Sequence, residues 1–317
     1  VPVPADNDVL IRVHACGVCH TDLDEIEGRV VPAFLPIILG HQIVGRIAGL
    51  GADVDQYAIN DRVGVAWISR ACGNCHFCRT DRENLCPDFM ATGRDQCGGY
   101  AEYTVAAADF VFPIPEELSD EDAAPLLCAG AIGFRSLSLA GIDNGQPLGL
   151  MGFGASAHLV LQLARCQYPN SDVFVFARSD VDRAFAIQLG ARWAGSIEEQ
   201  PPIRPDAIID TTPAWLPVVS ALRNLSPGGR LVINAIRKES TDQSALLRFD
   251  YPSDLWIEKE IKSVANVTRR DVREFLMAAA RLRLRPEVHR YGLEDANRAI
   301  RDLKSGKGIG AKVLVCR

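Results

Sequence analysis

The sequence predicts an α/β protein in which a doubly wound parallel-sheet domain interrupts a β-rich, barrel-like domain. Three changes of texture predict it. From Val1 to about Ser119, short apolar runs are broken by Gly, Pro and Asp, as in "VLIRVHA", "IVGRIAGLG", "DRVGVAWI", "GGYAEYTVA" and "DFVFPIP", which is how strands joined by irregular loops read. From about Pro125 to Thr268, strands and helices alternate. The closing "PEVHRYGLEDANRAIRDLKSGKGIGAKVLVCR" returns to strand, helix, Gly-rich turn and strand.

Within the alternating region, strands are expected at "PLGLMGF", "DVFVFA", "DAIIDT", "GRLVINA" and "IKSVAN". "SAHLVLQLARCQ" and "VDRAFAIQLG" repeat their apolar residues at helical spacing, and "RDVREFLMAAARLRL" adds one more helix. A chain of 317 residues can bury two cores. The expected domains are residues 1–127, residues 128–268, and a return to the first domain over residues 269–317.

Composition excludes several function classes. The chain is 48% hydrophobic and 23% charged, an ordinary balance for a globular protein. A net charge of −6 with scattered arginines leaves no footprint for nucleic acid. The most apolar run, "AAPLLCAGAIGF", is too short for a membrane span and holds proline and glycines. "VPVPADNDVLIRV" lacks the regions of a signal peptide, so a cytoplasmic location with reduced cysteines is expected.

Four of the ten cysteines, Cys72, Cys75, Cys78 and Cys86, stand in "CGNCHFCRTDRENLC" at C-x2-C-x2-C-x7-C spacing. Zinc is the favoured reading, since such turns place successive sulfurs on one side of a loop. A ferredoxin-type cluster shares C-x2-C-x2-C, but here the last interval is too long and no second cluster motif exists. Four thiolates close a zinc site, so this site is structural; Arg79 and Arg82 are placed to offset its charge. Chemistry then needs another place. Cys19 in "CGVCHTD", His41 in "GHQIVG" and Cys128 in "LLCAG" offer two thiols and an imidazole, the donor set of a zinc site with one open position. Spacing alone does not separate them from core cysteines and a satisfied histidine.

The segment "GLMGFGASAH" follows an expected strand and opens an expected helix. It reads Gly152-x-Gly154-x-x-Ala157, the fingerprint that binds a dinucleotide pyrophosphate at a helix N-terminus. The next strand, "DVFVFARSD", ends in Ala177-Arg178-Ser179, where NAD enzymes normally present a carboxylate to the ribose. Arg178 suits a 2′-phosphate, so NADP is favoured and NAD remains possible. Asp180 is expected to start the following helix, its oxygen available to backbone N–H groups.

Together these segments resemble the zinc-containing alcohol dehydrogenase branch of the medium-chain dehydrogenase/reductase family. The resemblance runs along essentially the whole chain, from "VLIRVHACGVCHTD" through "GHQIVG", the four-cysteine lobe, "GGYAEY" and "GFGASAH" to "GKGIGAKVLV". It implies a GroES-like catalytic barrel and a Rossmann-type domain. It also implies two zincs per chain: a catalytic one on Cys19, His41 and Cys128, and a structural one on the four-cysteine lobe. Asp22 would orient the ligand imidazole, Thr21 would take the substrate proton, and His20 would lie near the cofactor pyrophosphate. Trp67 falls at a pocket-lining aromatic position, with β-core packing as its other reading, and Val30 leaves room on another side of the pocket.

The implied reaction interconverts an alcohol with an aldehyde or ketone by hydride transfer to or from a nicotinamide cofactor. The alternatives are a reductase of the same family or a nicotinamide-binding protein without alcohol turnover. The implied partners are a small-molecule alcohol or aldehyde and further copies of the chain, as a dimer or tetramer. Four features depart from the family pattern. Gln42 replaces a frequent Glu, Asp24 stands where a relay histidine is common, Ile132 replaces a hydroxyl residue, and the chain begins later than its relatives do.

Overall fold

The computed structural model describes residues 1–308 and 310–316. The chain divides into two compact units, Val1–Ala131 with Asn266–Arg317, and Ile132–Ala265. Sequence texture put these divisions at residues 127/128 and 268/269, and packing explains the difference. A Cβ on Gly130 would stand 2.2 Å from the ring of Phe275, so the residues after Cys128 stay with the first unit. Thr268 caps the helix Arg269–Leu282 through a reciprocal bond pair with Asp271, and so belongs with that helix.

In the first unit the strands are β1 (Asp8–Val18), β2 (Gln42–Leu50), β3 (Arg62–Val65), β4 (Ile68–Arg70), β5 (Met90–Ala91), β6 (Tyr103–Ala107) and β7 (Val111–Pro113). The second unit holds β8 (Leu148–Met151), β9 (Val173–Phe176), β10 (Trp193–Gly195), β11 (Ala207–Asp210), β12 (Arg230–Ile233) and β13 (Glu260–Ser263). The chain then returns to the first unit with β14 (Val288–Gly292) and β15 (Ala311–Val315).

β1 organises the barrel. One edge pairs with β2; the other pairs first with β6 and then, from Ala15 to Val18, with β15. The end of the chain thus completes the sheet that its beginning starts. Val9, Ile11, Val13, Ile43, Ile47, Val63 and Val65 fill the interior, and their β-branched shape suits a pleated surface. The register between β1 and β2 slips at His14, which bonds Asp120 at 2.9 Å. Opposite this bulge stands Gly45, where a Cβ would come within 2.1 Å of the Arg12 carbonyl oxygen.

The second unit is a parallel sheet in the order β10-β9-β8-β11-β12-β13. Every residue of β8, β9 and β11 is buried, as in a sheet covered on both faces. All five strands expected from the sequence are present. β10 adds a sixth, too short at three residues to show a pattern. Among the described residues one continuous helical run, Asp120–Ala140, is long and apolar enough to cross a membrane, but 67% of its apolar window is buried within the protein.

Candidate metal centres and active site

Cys19 follows β1 directly and starts the helix His20–Ile26. Its thiol accepts the Thr21 N–H at 3.4 Å, and Asp22 accepts the Cys19 N–H at 2.8 Å, so the thiol and the helix start are fixed together. His41 immediately precedes β2 and is fully buried. Gly40 before it has φ +96°, and a Cβ there would meet the Tyr100 ring at 2.4 Å, so only glycine delivers His41 to this place. Cys128 sits in the π-helical turn Leu126–Gly130 that follows Pro125, a distortion frequent where a helix contributes to a site.

Three separate elements thereby converge. Cys19 Sγ, a His41 ring nitrogen and Cys128 Sγ all lie within 4.8 Å of one another. Cys19 Sγ is 3.3 Å from His41 Nε2, close to the roughly 3.5 Å that two ligands span across a tetrahedral zinc. On the far side of the imidazole, Asp22 Oδ1 is 3.5 Å from Nδ1 and also accepts the Gly40 N–H at 3.2 Å. The Cys128 hydrogen bond holds the Cys19 thiol well below its ordinary pKa, helped by His41 against the cost of burial. Burial alone would push His41 down, yet the charges of Cys19 and Asp22 outweigh it and hold the imidazole well above the ordinary value. This buried trio draws positive charge into itself. That is the demand a divalent cation meets, so the donors fit zinc.

The four lobe cysteines form the second cluster. All four sulfurs lie within 4.8 Å of one another. Cys72 and Cys78 are 3.8 Å apart, and Cys75 and Cys78 3.6 Å, far beyond a disulfide bond. A tetrahedron of zinc–sulfur bonds puts its corners about 3.8 Å apart, which this spacing matches. Backbone N–H groups of Cys72, Cys75 and Cys78 point at the sulfurs of Cys86, Cys72 and Cys75, as suits thiolates. Arg82 is turned onto Phe77 and His76, 2.8 Å from the imidazole, rather than across the sulfurs. Glu83 ties the lobe to the helix Arg269–Leu282 by accepting the Arg269 N–H at 2.9 Å.

Around the trio, Thr21 is half-buried, His20 exposed and Val30 half-buried. Gln42 is buried at the start of β2. Asp24, at the relay position, accepts Arg29 Nε at 2.6 Å and is held there. Trp67 is 7% exposed. Phe89 packs at 5.2 Å from its ring and the Arg94 guanidinium lies 5.2 Å over it. Sequence reading missed Arg94 and Glu25. Their signal was weak: one is a lone Arg in "ATGRDQC", the other an acid among four in "DLDEIEG".

In the second unit, the turn after β8 begins at Gly152 with φ +82°, where a Cβ would strike Thr211 and Thr212 at 2.9 Å. Gly154 faces open space where its Cβ would stand, which lets backbone approach a pyrophosphate. Ala157, fully buried, opens the helix Ala157–Gln167, whose N-terminus takes no capping bond from Ser156. These features fit a dinucleotide. At the end of β9, Arg178 is exposed. Ser179, not Asp180, caps the next helix: its hydroxyl donates to Asp182 at 2.7 Å and accepts the Asp182 N–H. Asp180 instead pairs with Arg183, which also donates to the Ala177 carbonyl at 2.8 Å. Ser outranks a following Asp here because it occupies the extended position that a cap requires.

The chain is similar to known proteins along its length. Residues 5–116 match the family described as an alcohol dehydrogenase GroES-like domain. A Mycobacterium tuberculosis protein named "Probable alcohol dehydrogenase AdhA" is 41% identical over 320 residues, covering 99% of this chain and 90% of that protein. An alcohol dehydrogenase of Geobacillus stearothermophilus is 33% identical over 324 residues, covering 99% and 93%. Among solved structures, a cinnamyl alcohol dehydrogenase of Sorghum bicolor superposes with a TM-score of 0.84 at 27% identity, covering 99% of this chain and 92% of that one. With relatives this similar along its whole length, the protein belongs to the zinc-containing alcohol dehydrogenases of the medium-chain dehydrogenase/reductase family.

Proposed function

We propose that this NAD(P)-dependent alcohol dehydrogenase works at Cys19, His41 and Cys128, which hold its catalytic zinc, while Cys72, Cys75, Cys78 and Cys86 hold a second, structural zinc. One observation carries the reading: three donors from three separate elements lie within 4.8 Å of one another, with a buried carboxylate behind the imidazole. When bound there, zinc supplies Lewis acidity that eases loss of the alcohol proton near neutral pH, and the nicotinamide supplies the hydride acceptor or donor. The chain's residues do the rest. Cys19 and Cys128 offset the metal charge and leave a fourth position for substrate oxygen. Asp22 fixes the direction of the His41 ring. Thr21, on the first turn after Cys19, takes the proton that substrate gives up.

The second unit's Gly152, Gly154 and Ala157 cradle the pyrophosphate. Arg178 favours NADP(H) over NAD(H); Ser179 serves the turn as a helix cap. Trp67 and Val30 bound the substrate pocket. We further read the protein as a cytoplasmic homo-oligomer, a reading supported by ten cysteines with no disulfide among them and by β13, a sheet edge with all four residues exposed. An alcohol and aldehyde panel assayed with each cofactor, together with zinc content, tests the whole. Two zincs per chain and oxidation of an alcohol support it; one zinc or no alcohol turnover overturns it.

A further inference from the structure

Asp210 closes β11 and is fully buried; the side chain of Lys238, in the loop after β12, is 7% exposed. The Lys238 ammonium pairs with Asp210 Oδ2 and donates to the Thr212 and Ala214 carbonyl oxygens at 2.7 and 3.1 Å, which occupies all three of its protons. Asp210 Oδ1 accepts the Thr212 N–H at 3.0 Å and the Thr212 hydroxyl at 2.7 Å. Apolar side chains of similar volume often serve stability as well as a buried ion pair does, so where this pair stands is the informative feature.

In the order β10-β9-β8-β11-β12-β13, successive strands run outward from β8 in one direction and from β11 in the other. A dinucleotide lies across such a switch point, at the carboxyl ends of the strands, with one nucleotide on each half. The end of β9 serves the adenosine half, so residues 211–214 wall the nicotinamide half. The two halves meet at the glycine turn, where Thr211 donates its N–H at 3.0 Å and its hydroxyl at 3.1 Å to the Met151 carbonyl. From behind, the loop after β12 grips this wall along its length. Besides Lys238, the Glu239 N–H donates to the Pro213 carbonyl at 2.7 Å, and Asp242 accepts the Trp215 and Leu216 N–H groups at 2.8 and 2.9 Å. A second observation points to a ligand at this edge. Asn234, next after β12 and 8% exposed, holds a buried Nδ2 donor with no partner among the described residues, and such a donor suits an acceptor from outside the chain.

We propose that the Asp210–Lys238 pair positions the cofactor: by holding residues 211–214, it sets the wall against which the nicotinamide half lies. The proposal rests on the reading of Gly152, Gly154 and Ala157 as the pyrophosphate cradle. Lys238 acts through the wall, since its protons are all engaged within it.

The test uses the double variant Lys238→Met with Asp210→Asn, which removes both charges together and keeps an oxygen for Thr212. Two probes that differ only in the nicotinamide, NADPH and 2′-phospho-ADP-ribose, are titrated calorimetrically into wild type and variant. NADH and ADP-ribose take their place if that pair binds more tightly. NADPH affinity should fall about tenfold or more, the scale of losing hydrogen bonds to a charged group, while 2′-phospho-ADP-ribose binds as before. Equal losses for both probes, or no loss for either, overturn the proposal. In wild type, amide hydrogen exchange over residues 210–216 should slow with NADPH and not with 2′-phospho-ADP-ribose. The same response to both probes overturns the proposal even if the variant does not fold. Gly154→Val tests the underlying reading separately: its side chain would enter the open space at the turn and should abolish binding of both probes. Binding of both by that variant would defeat the cradle, and the proposal with it.

Discussion

Asp22 Oδ1 stands 3.5 Å from His41 Nδ1, opposite the ring nitrogen that points at Cys19. The same carboxylate accepts the N–H groups of Cys19 and Gly40, so a single side chain holds the helix start at Cys19 and the turn before His41 while standing against the His41 ring. Asp22→Asn should therefore lower zinc affinity about 10–100-fold, the usual effect of losing such a partner. Competition with a chromophoric chelator measures it; zinc retention equal to wild type would show that Asp22 does not hold the ring.

The two metal centres should separate by function. Cys19→Ser or His41→Ala should abolish turnover and leave a folded protein with one zinc per chain. Cys75→Ser should cost stability or solubility, because a closed four-thiolate site contributes folding energy directly. Thermal melting and metal content of the three variants check this. A Cys19→Ser enzyme with wild-type turnover would remove the catalytic zinc from this trio.

Five of the six parallel strands were legible in the sequence texture, because β8, β9, β11 and β12 are largely buried apolar runs flanked by turn residues, while exposed β13 follows in the same alternation. β10 escaped because three residues carry no period. The proposed metal ligands suggest themselves only through a family pattern: Cys19, His41 and Cys128 come from a helix start, a strand start and a π-turn, which no local spacing joins. Glu25 was invisible for a different reason. A carboxylate on an acidic helix reads as solvated, and only the packing around it shows that it is not.

Trp67 should narrow the substrate pocket, and primary alcohols or aldehydes of medium length or with an aromatic ring should outperform bulky secondary ones. Its ring already carries Phe89 and Arg94, so Trp67→Ala removes support from both as well as volume. The expected outcome is wider acceptance on the panel together with a loss of about 3–5 kcal/mol in stability. Unchanged selectivity would place Trp67 in the β-core only.

Glu25 also makes a stability prediction. Its carboxyl is raised from 4.5 to about 8, so between those values the native chain holds a proton that the unfolded chain has released. Stability from this group is therefore present at low pH and is lost as pH rises across that window. Glu25→Gln removes the dependence. Its melting temperature relative to wild type should climb from pH 5 to pH 9, by roughly 2–4 °C for each kcal/mol relieved. A constant difference would mean that the carboxyl titrates normally.

Cofactor choice turns on the end of β9. No carboxylate stands at Ala177-Arg178-Ser179, and Arg178 is exposed there with its charge available to a 2′-phosphate. Asp180 and Asp182, the nearest acids, are engaged: Asp180 pairs with Arg183, and Asp182 takes the Ser179 hydroxyl. Arg183 itself is anchored on the Ala177 carbonyl, so a second positive charge backs the same strand end. The enzyme should prefer NADP(H), and Arg178→Ala should lower kcat/KM for NADP(H) about tenfold or more while leaving NAD(H) nearly unchanged, the loss of one charge-assisted contact being worth about 1.5–3 kcal/mol. Measured kcat/KM for both cofactors in both proteins decides it. A wild-type preference for NAD(H) that the substitution does not touch would mean that Arg178 points to solvent and that the absence of an acid at this turn is merely permissive.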